Sequence, residues 1–495
     1  MSMEAFFFRL FFLFFIQTVG CNIFAQGLET LPPIRLDAGS KPSEGNLIIS
    51  VSDFEKFFKN GGCRYADCIE IIDAAKPWPP IWFSAAPLFR ADTISKQATL
   101  NLITNFSYQS GLYSFYKEQA LLKGDIAHHK IDFTNKHVIS ANYVICSPTL
   151  KVLETLKPSR LPFNFHCMAI NDKKERLVML QLDTVLAIKT PDNPLKKPIA
   201  ALIDVIAIYD STDKVIFKWN PVKALGLEAV NPLYIHAPSA SVSGDKVDWS
   251  HGNSIVWDLD GNILYSFRHI GVGKISRADG HVIWRLDNKS IYTDNRKDTL
   301  VFYLQHDIEP VKVEGDYTRY SLFSNGDFAH PKAFGLDFKA NNKDGSIKFI
   351  RKRYSTCSLP STGAGNYEVD EHGNYILNYG VTPDGSDKPS HTFCEMAQSD
   401  GHVFASYSLP KNVFAFKISK LKAPPVTRPM VSRKGNVLSA HGNMTGWIWY
   451  RLENDNSVIK VAQGLDFKPG INGTYYVAGK VGMGYAVSEP FLFNQ

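Results

Sequence analysis

Three histidines stand near the start of strand-like units: His166 in "FNFHCMAIND", His251 in "DWSHGNS" and His306 in "FYLQHDIEP". They are separated by 85 and 55 residues. Near neutral pH an imidazole serves as nucleophile, base or acid, because its reference pKa is about 6.5. His251 and Asn253 stand two residues apart, which on a strand directs both to one face. Gly252 between them carries no side chain, so a ligand or another backbone can approach closely. Ser266 and Arg268 in "SFRH" share a face by the same alternation, and His269 takes the other. The rigid guanidinium fork suits tetrahedral oxyanions. Taken singly, each residue has an ordinary reading: a strand-end histidine bonded to a carbonyl, or an arginine in a surface ion pair. Gathered at one point, three imidazoles, Asn253 and Arg268 are what an anionic transition state needs. His128 and His129 in "AHHKIDF" read as loop residues.

The elements that must position these residues read as strands. Aromatic residues make up 13% of the chain, and Gly, Asn and Asp turn signals are frequent. A unit recurs along the sequence: a short apolar strand, an Asp- or Gly-centred turn, then a strand ending in an aromatic. It appears at 68–83, 204–219, 272–286 and 393–407, with further strand pairs at 164–180, 254–268 and 366–380. Four-stranded units of roughly 50–60 residues fit a β-propeller, whose first strands surround one central channel and which leaves no long sheet edge. The spacing predicts one short helix, "SVSDFEKFFKN" (50–60). A linker is expected at "KLKAPPVTRP" (420–429). Beyond it, residues 424–495 read as a small immunoglobulin-like β-sandwich without a cysteine pair, a binding or spacing module.

Charge and cysteine usage narrow the partners. A net charge of +6 over 495 residues, with no long basic run, suggests no nucleic-acid partner. Residues 1–26 read as an export signal with an apolar core at Phe6–Ile16. The alternative is a lipoprotein signal with Cys21 as the lipidated residue. The expected location is periplasmic, outer-surface or secreted. No later segment is long and apolar enough to span a bilayer. Six cysteines remain after the signal, and Cys63–Cys68 is the favoured disulfide, with buried thiols as the alternative for the rest. No Cys–His spacing resembles a zinc site, so no metal is expected.

"DWSHGNS", "DGNILYSFRH", "KISRADGHVIWRL", "FYLQHD" and "LFSNG" resemble, in this order, the motif series of the bacterial arylsulfotransferases. The likeness is close over 245–330 and looser over 65–245 and 360–415. It implies a six-bladed propeller over 27–420, exported, that moves a sulfuryl group from a phenolic sulfate ester to a phenolic acceptor. No phosphoadenosine-phosphosulfate or other cofactor is implied. Transfer is ping-pong through a sulfated histidine. By this resemblance His306 is the nucleophile, and His251 and Asn253 hold sulfuryl oxygens, with His251 also shuttling a proton. Arg268 neutralises the transferring group, and His166 is the remaining channel histidine. Two places depart from the pattern: Pro331-Lys332 stands where relatives carry Ser-Arg, and Asp287-Asn288 replaces a Gly-rich turn. The alternative function is a non-catalytic propeller that binds anionic or sulfated ligands.

Overall fold

The computed structural model describes residues 27–41, 45–53, 65, 67–85, 90–92, 97–109, 112–125, 130–157, 161–188, 195–231, 246–287, 301–327, 330, 332–356, 361, 363–382, 390–421, 426–455 and 457–495. These residues form an all-β structure, with one five-residue helix, Pro221–Leu225, capped by the Asn220 side chain. The expected helix at 50–60 is corrected in its first turn. Residues 50–53 close the strand Asn46–Asp53, because the near-continuous apolar run "LIISV" fits a sheet with both faces covered. Residues 54–60 lie outside the described residues. No described helix is long and apolar enough to cross a membrane.

Among the described residues, six antiparallel groups are each built on four strands, and Arg90–Asp92, Val247–Asp248 and Arg35–Leu36 add a short further strand to the first, second and fifth. The first begins with Gln97–Gln109, the second with Phe163–Ile170, the third with Gly252–Trp257, the fourth with His306–Glu314 and the fifth with Asn366–Val369. The sixth joins the two ends of the ring. Val413–Leu421 pairs with Asn46–Asp53, which continues into Cys68–Asp73 and Trp82–Ala85. Each group's first strand packs beside the first strand of the next, and Val413–Leu421 closes the circuit against Gln97–Gln109. The recurring units at 68–83, 204–219, 272–286 and 393–407 are the outer two strands of four groups. Those at 164–180, 254–268 and 366–380 are inner pairs.

A separate apolar core lies between each pair of neighbouring sheets. Tyr143 and Met168 pack between the first and second, Met179 and Ile255 between the second and third, and Leu264 and Leu336 between the third and fourth. Phe323 and Tyr367, then Ile376 and Val413, then Ile48 and Val144 fill the remaining three gaps. With both faces buried, the sheets derive their stability from face-to-face packing. A buried ion pair within the third sheet is tied to the fourth by a hydrogen bond. Lys274 Nζ lies 2.5 Å from Asp258 and 2.6 Å from Asp260, and Tyr320 from the fourth sheet donates to Asp258 at 2.8 Å.

The C-terminal residues form two sheets over a small core of Leu438, Trp449, Tyr475, Val477 and Phe493. One is Met430–Lys434, Val437–His441 and Asp466–Phe467. The other runs directly into the ring: Gly484–Val487 pairs with Trp82–Ala85, with Tyr485 opposite Phe83. The expected linker is likewise tied down at its end. Arg428 donates to the carbonyls of Pro80 and Val487 at 3.2 and 2.9 Å and ion-pairs with Glu489.

The expected Cys63–Cys68 disulfide falls partly outside the described residues. Cys68 is a buried thiol facing Glu70 Oε1 at 3.3 Å; Cys63 lies outside the described residues. Cys146, Cys167 and Cys394 are also buried thiols. Gly252, expected to let a ligand or another backbone approach closely, is met by the neighbouring sheet. A Cβ there would stand 2.6 Å from Met179 Sδ and 3.1 Å from Asp204 Cβ.

Two stability outcomes follow. Gly252→Ala forces the second and third sheets apart at an anchored Cβ, so denaturant unfolding should register a loss of about 1–3 kcal/mol. Glu70 is fully buried, and burial pushes its carboxyl up to about 8 from the usual 4.5. A raised acid is most favourable to folding while protonated, so its contribution falls as pH climbs from about 4.5 to about 8. Glu70→Gln stays neutral, and its melting temperature should gain on the wild type steadily over that range. A gap that stays flat would mean that Glu70 folds as a carboxylate.

Candidate active site

His166, His251, Arg268 and His306 come from the inner edges of three consecutive sheets and meet. The His166 ring centroid lies 5.8 Å from that of His251 and 6.0 Å from that of His306. Arg268 is 8% exposed, and its charge acts on all three imidazoles. Asn253 is buried beside them and donates to the Gln305 carbonyl at 2.7 Å, so it braces the residue before His306. Gln305 donates in turn to the Phe267 carbonyl at 2.8 Å, next to Arg268. The five expected residues are thus brought together.

The way they meet differs from the alternation argument. The strand starts at Gly252, and His251 precedes it with a left-handed φ of +48°. Arg268 and His269 follow the strand Ile263–Phe267 rather than ending it. Their backbone N–H groups close a wider loop onto the carbonyls of His251 and Ser250, at 3.0 and 3.4 Å. His269 therefore does not leave the site. Its ring lies 5.2 Å from His251, and its Nδ1 lies 2.9 Å from the Asp248 carbonyl. Period-two alternation holds only inside a strand, and these residues stand outside one.

Residues without an assigned role do much of the positioning. Val247–Asp248 runs parallel to Ile199–Tyr209 of the preceding sheet, with Leu202 opposite Asp248. That pairing brings Ser250 and Gly252 to Asp204, whose Oδ2 accepts from the Ser250 hydroxyl at 2.8 Å and the Gly252 N–H at 2.6 Å. Asp204 Oδ1 accepts from the Asn164 amide at 2.7 Å, and that amide also donates to the Gly252 carbonyl at 2.9 Å. These bonds fix the Asn164 oxygen as an acceptor. It takes the His166 backbone N–H at 2.9 Å and lies 2.7 Å from His166 Nδ1. Nδ1 of His166 must then carry the proton, leaving the lone pair on Nε2. Asn164 and Asp248 stand two and three residues before His166 and His251, a local spacing the sequence shows; Asp204 carries no local signal.

His306 sits in an irregular turn between Leu304 and Asp307, both with left-handed φ (+46° and +53°), where the pairing with Tyr317–Ser324 shifts register. Its Nδ1 is buried and meets no hydrogen-bond partner. Residues held in such conformations cluster at functional sites. Behind it, Lys417 from the ring-closing strand ion-pairs with Asp307 at 2.8 Å and Glu309 at 3.0 Å.

Burial keeps the imidazoles neutral. His251 and His269 are each pushed down to about 3, first by desolvation and then by neighbouring cationic groups, and His166 and His306 are lowered well below the ordinary value for the same reasons. Near pH 7 the rings carry lone pairs and Arg268 supplies the positive charge. The His251 and Asp248 side chains keep 13% and 27% exposure, so one side of the cluster opens to solvent. The arrangement suits transfer of a tetrahedral anionic group to a ring nitrogen.

Comparison with known proteins agrees with this chemistry. No curated protein matches the chain. Solved structures give only slight likenesses. A 6-phosphogluconolactonase-like protein from Bacteroides uniformis is 10% identical, with coverage of 86% of this chain and 96% of that one and a TM-score of 0.29. The RRP9 WD40 repeats are 8% identical over 77% and 98%, with a TM-score of 0.30. An exo-β-1,3-galactanase from Phanerochaete chrysosporium is 9% identical over 79% and 95%, with a TM-score of 0.27. These scores carry no argument about function. A family model does match, over the stretch that runs from Asn164 through all four clustered histidines and Arg268. Residues 164–357 of this chain match the model of the arylsulfotransferase (ASST) family.

Proposed function

We propose that this protein is an exported, cofactor-independent aryl sulfotransferase that works by a ping-pong mechanism through a sulfated His306. The observation that carries the reading is the convergence of three neutral imidazoles on one buried arginine. In the first half-reaction a ring nitrogen of His306 attacks the sulfur of a phenolic sulfate ester. The N–S bond forms as the S–O bond to the aryl oxygen breaks, and the phenolate departs with that electron pair. Arg268 offsets charge on the sulfuryl oxygens, and like phosphoryl transfer the step depends mainly on positioning and charge stabilisation. In the second half-reaction His251 accepts the proton of an incoming phenol, whose oxygen attacks the same sulfur and releases His306. The proton given up by the acceptor matches the one taken by the released phenolate, so the cycle balances.

The rest of the chain fits this reading. Six groups of four strands around a ring of inner strands support a six-bladed propeller over 27–420. The two sheets over Trp449 support an immunoglobulin-like sandwich over 424–495. The apolar run Phe6–Ile16 supports an export signal at 1–26, which lies outside the described residues. His166 and Asn253 are assigned to substrate binding.

Mature protein mixed with p-nitrophenyl sulfate should release nitrophenolate, faster when phenol is added as acceptor. His306→Ala should lower that release by about 10³-fold or more while leaving the melting curve in place. Wild-type release that survives in this variant would remove His306 as nucleophile. Tight binding of sulfated ligands with no release from any phenolic ester would favour the non-catalytic binder.

A further inference from the structure

We propose that Asp248 is the positioning residue of this site: its carboxylate fixes the Nδ1–H tautomer of His251, and its backbone carbonyl fixes that of His269. Both rings then turn Nε2 away from Asp248 with the lone pair on it. The catalytic consequence rests on the sulfotransferase reading; the tautomers do not.

The argument is one of donors and acceptors. A carbonyl oxygen only accepts, so His269 Nδ1, 2.9 Å from the Asp248 carbonyl, carries a proton. Asp248 uses its two carboxylate oxygens separately. Oδ1 accepts the His251 backbone N–H at 3.0 Å, and Oδ2 lies 2.7 Å from His251 Nδ1. The first bond holds the left-handed turn at His251, a conformation disfavoured for a residue with a side chain. The second orients the ring toward His166 and His306. Asp248 is itself fixed from outside the loop, opposite Leu202 and followed by a 2.9 Å bond from the Trp249 N–H to the Leu202 carbonyl. His269 backs His251 at 5.2 Å, and its own carbonyl accepts the Asn231 N–H at 2.8 Å, so the second imidazole cannot swing clear.

An asparagine at this position has one acceptor where two are needed. If its oxygen keeps the turn, its amide nitrogen faces His251 Nδ1, and the ring proton must move to Nε2. If its oxygen faces Nδ1, two N–H groups oppose each other and the turn opens. In the first case His251 turns a proton, rather than a lone pair, toward the acceptor phenol. The same logic governs the aspartate behind a catalytic histidine in serine proteases, where the Asn variant presents the wrong tautomer.

The test uses full-length mature protein with ¹⁵N-labelled histidine, the His251 signals being assigned by their loss in His251→Gln. In the wild type His251 should show a protonated Nδ1 and an unprotonated Nε2. In Asp248→Asn the pattern should invert, and kcat for p-nitrophenyl sulfate should fall by about 10²–10⁴-fold with KM changed by no more than roughly threefold. A wild-type His251 protonated on Nε2 would overturn the proposal. So would an Asp248→Asn variant that keeps the wild-type tautomer and kcat. An inactive wild type whose His251 still carries the proton on Nδ1 would count against the transfer reading and for the hold of Asp248 on the ring.

Discussion

The Asp204 carboxylate is the contact on which the site depends. It belongs to the second sheet, yet two of its three donors come from a different segment, the Ser250 hydroxyl and the Gly252 N–H, and the third, the Asn164 amide, also holds the Gly252 carbonyl. Burial pushes its carboxyl up to about 6, below neutrality, and every neighbour named here donates to it, which favours the charged form. Because Asn164 also holds His166 and Gly252 follows His251, this one carboxylate sets the separation of the two rings. A buried charge without those donors would be costly, so the segment is drawn in to satisfy it. The absence of a side chain at Gly252 lets this happen at contact distance.

Electrostatics then divide the labour. Several imidazoles next to a guanidinium cannot all be charged in a buried space, and desolvation acts first to keep each ring neutral. Neutrality makes the ring nitrogens nucleophilic or basic. It also leaves Arg268 as the cation of the cluster, and arginine keeps its charge in such surroundings. The polar set beyond His306 is balanced differently. Lys417 is held protonated by Asp307 and Glu309, and burial pushes Glu309 up to about 7.

What the sequence made legible was whatever is local. The hairpins at 204–219 and 272–286 announce themselves by alternation and Asp- or Gly-centred turns, and they are strand pairs in the structure. The site histidines and Arg268 were legible as a motif series. The reasons for their convergence were not. Alternation was extended past the ends of strands, which wrongly removed His269 and put His251 on a strand it only precedes. Asp204 is 47 residues before His251 and sits in an apolar strand, where nothing nearby shows which distant N–H groups its carboxylate will meet. The pairing of Gly484–Val487 with Trp82–Ala85 is separated by about four-fifths of the chain and depends on two exposed edges fitting, a non-local condition.

His306, the proposed nucleophile, is held from the opposite direction to His166 and His251, and its backbone is irregular there. His166 and His251 are fixed by side chains in their own or the preceding sheet. His306 stands between two left-handed residues, and its successor Asp307 is pinned by Lys417, which belongs to the strand that closes the ring. Val413–Leu421 can occupy that place only when it has paired with Asn46–Asp53, that is, when the two ends of the ring have met. A left-handed Asp307 costs conformational energy that the Lys417 ion pair offsets. The geometry around His306 is therefore completed by ring closure, whereas the histidine–arginine cluster beside it is built from contacts between neighbouring sheets. A site assembled this way has His306 in place only when the ring is closed.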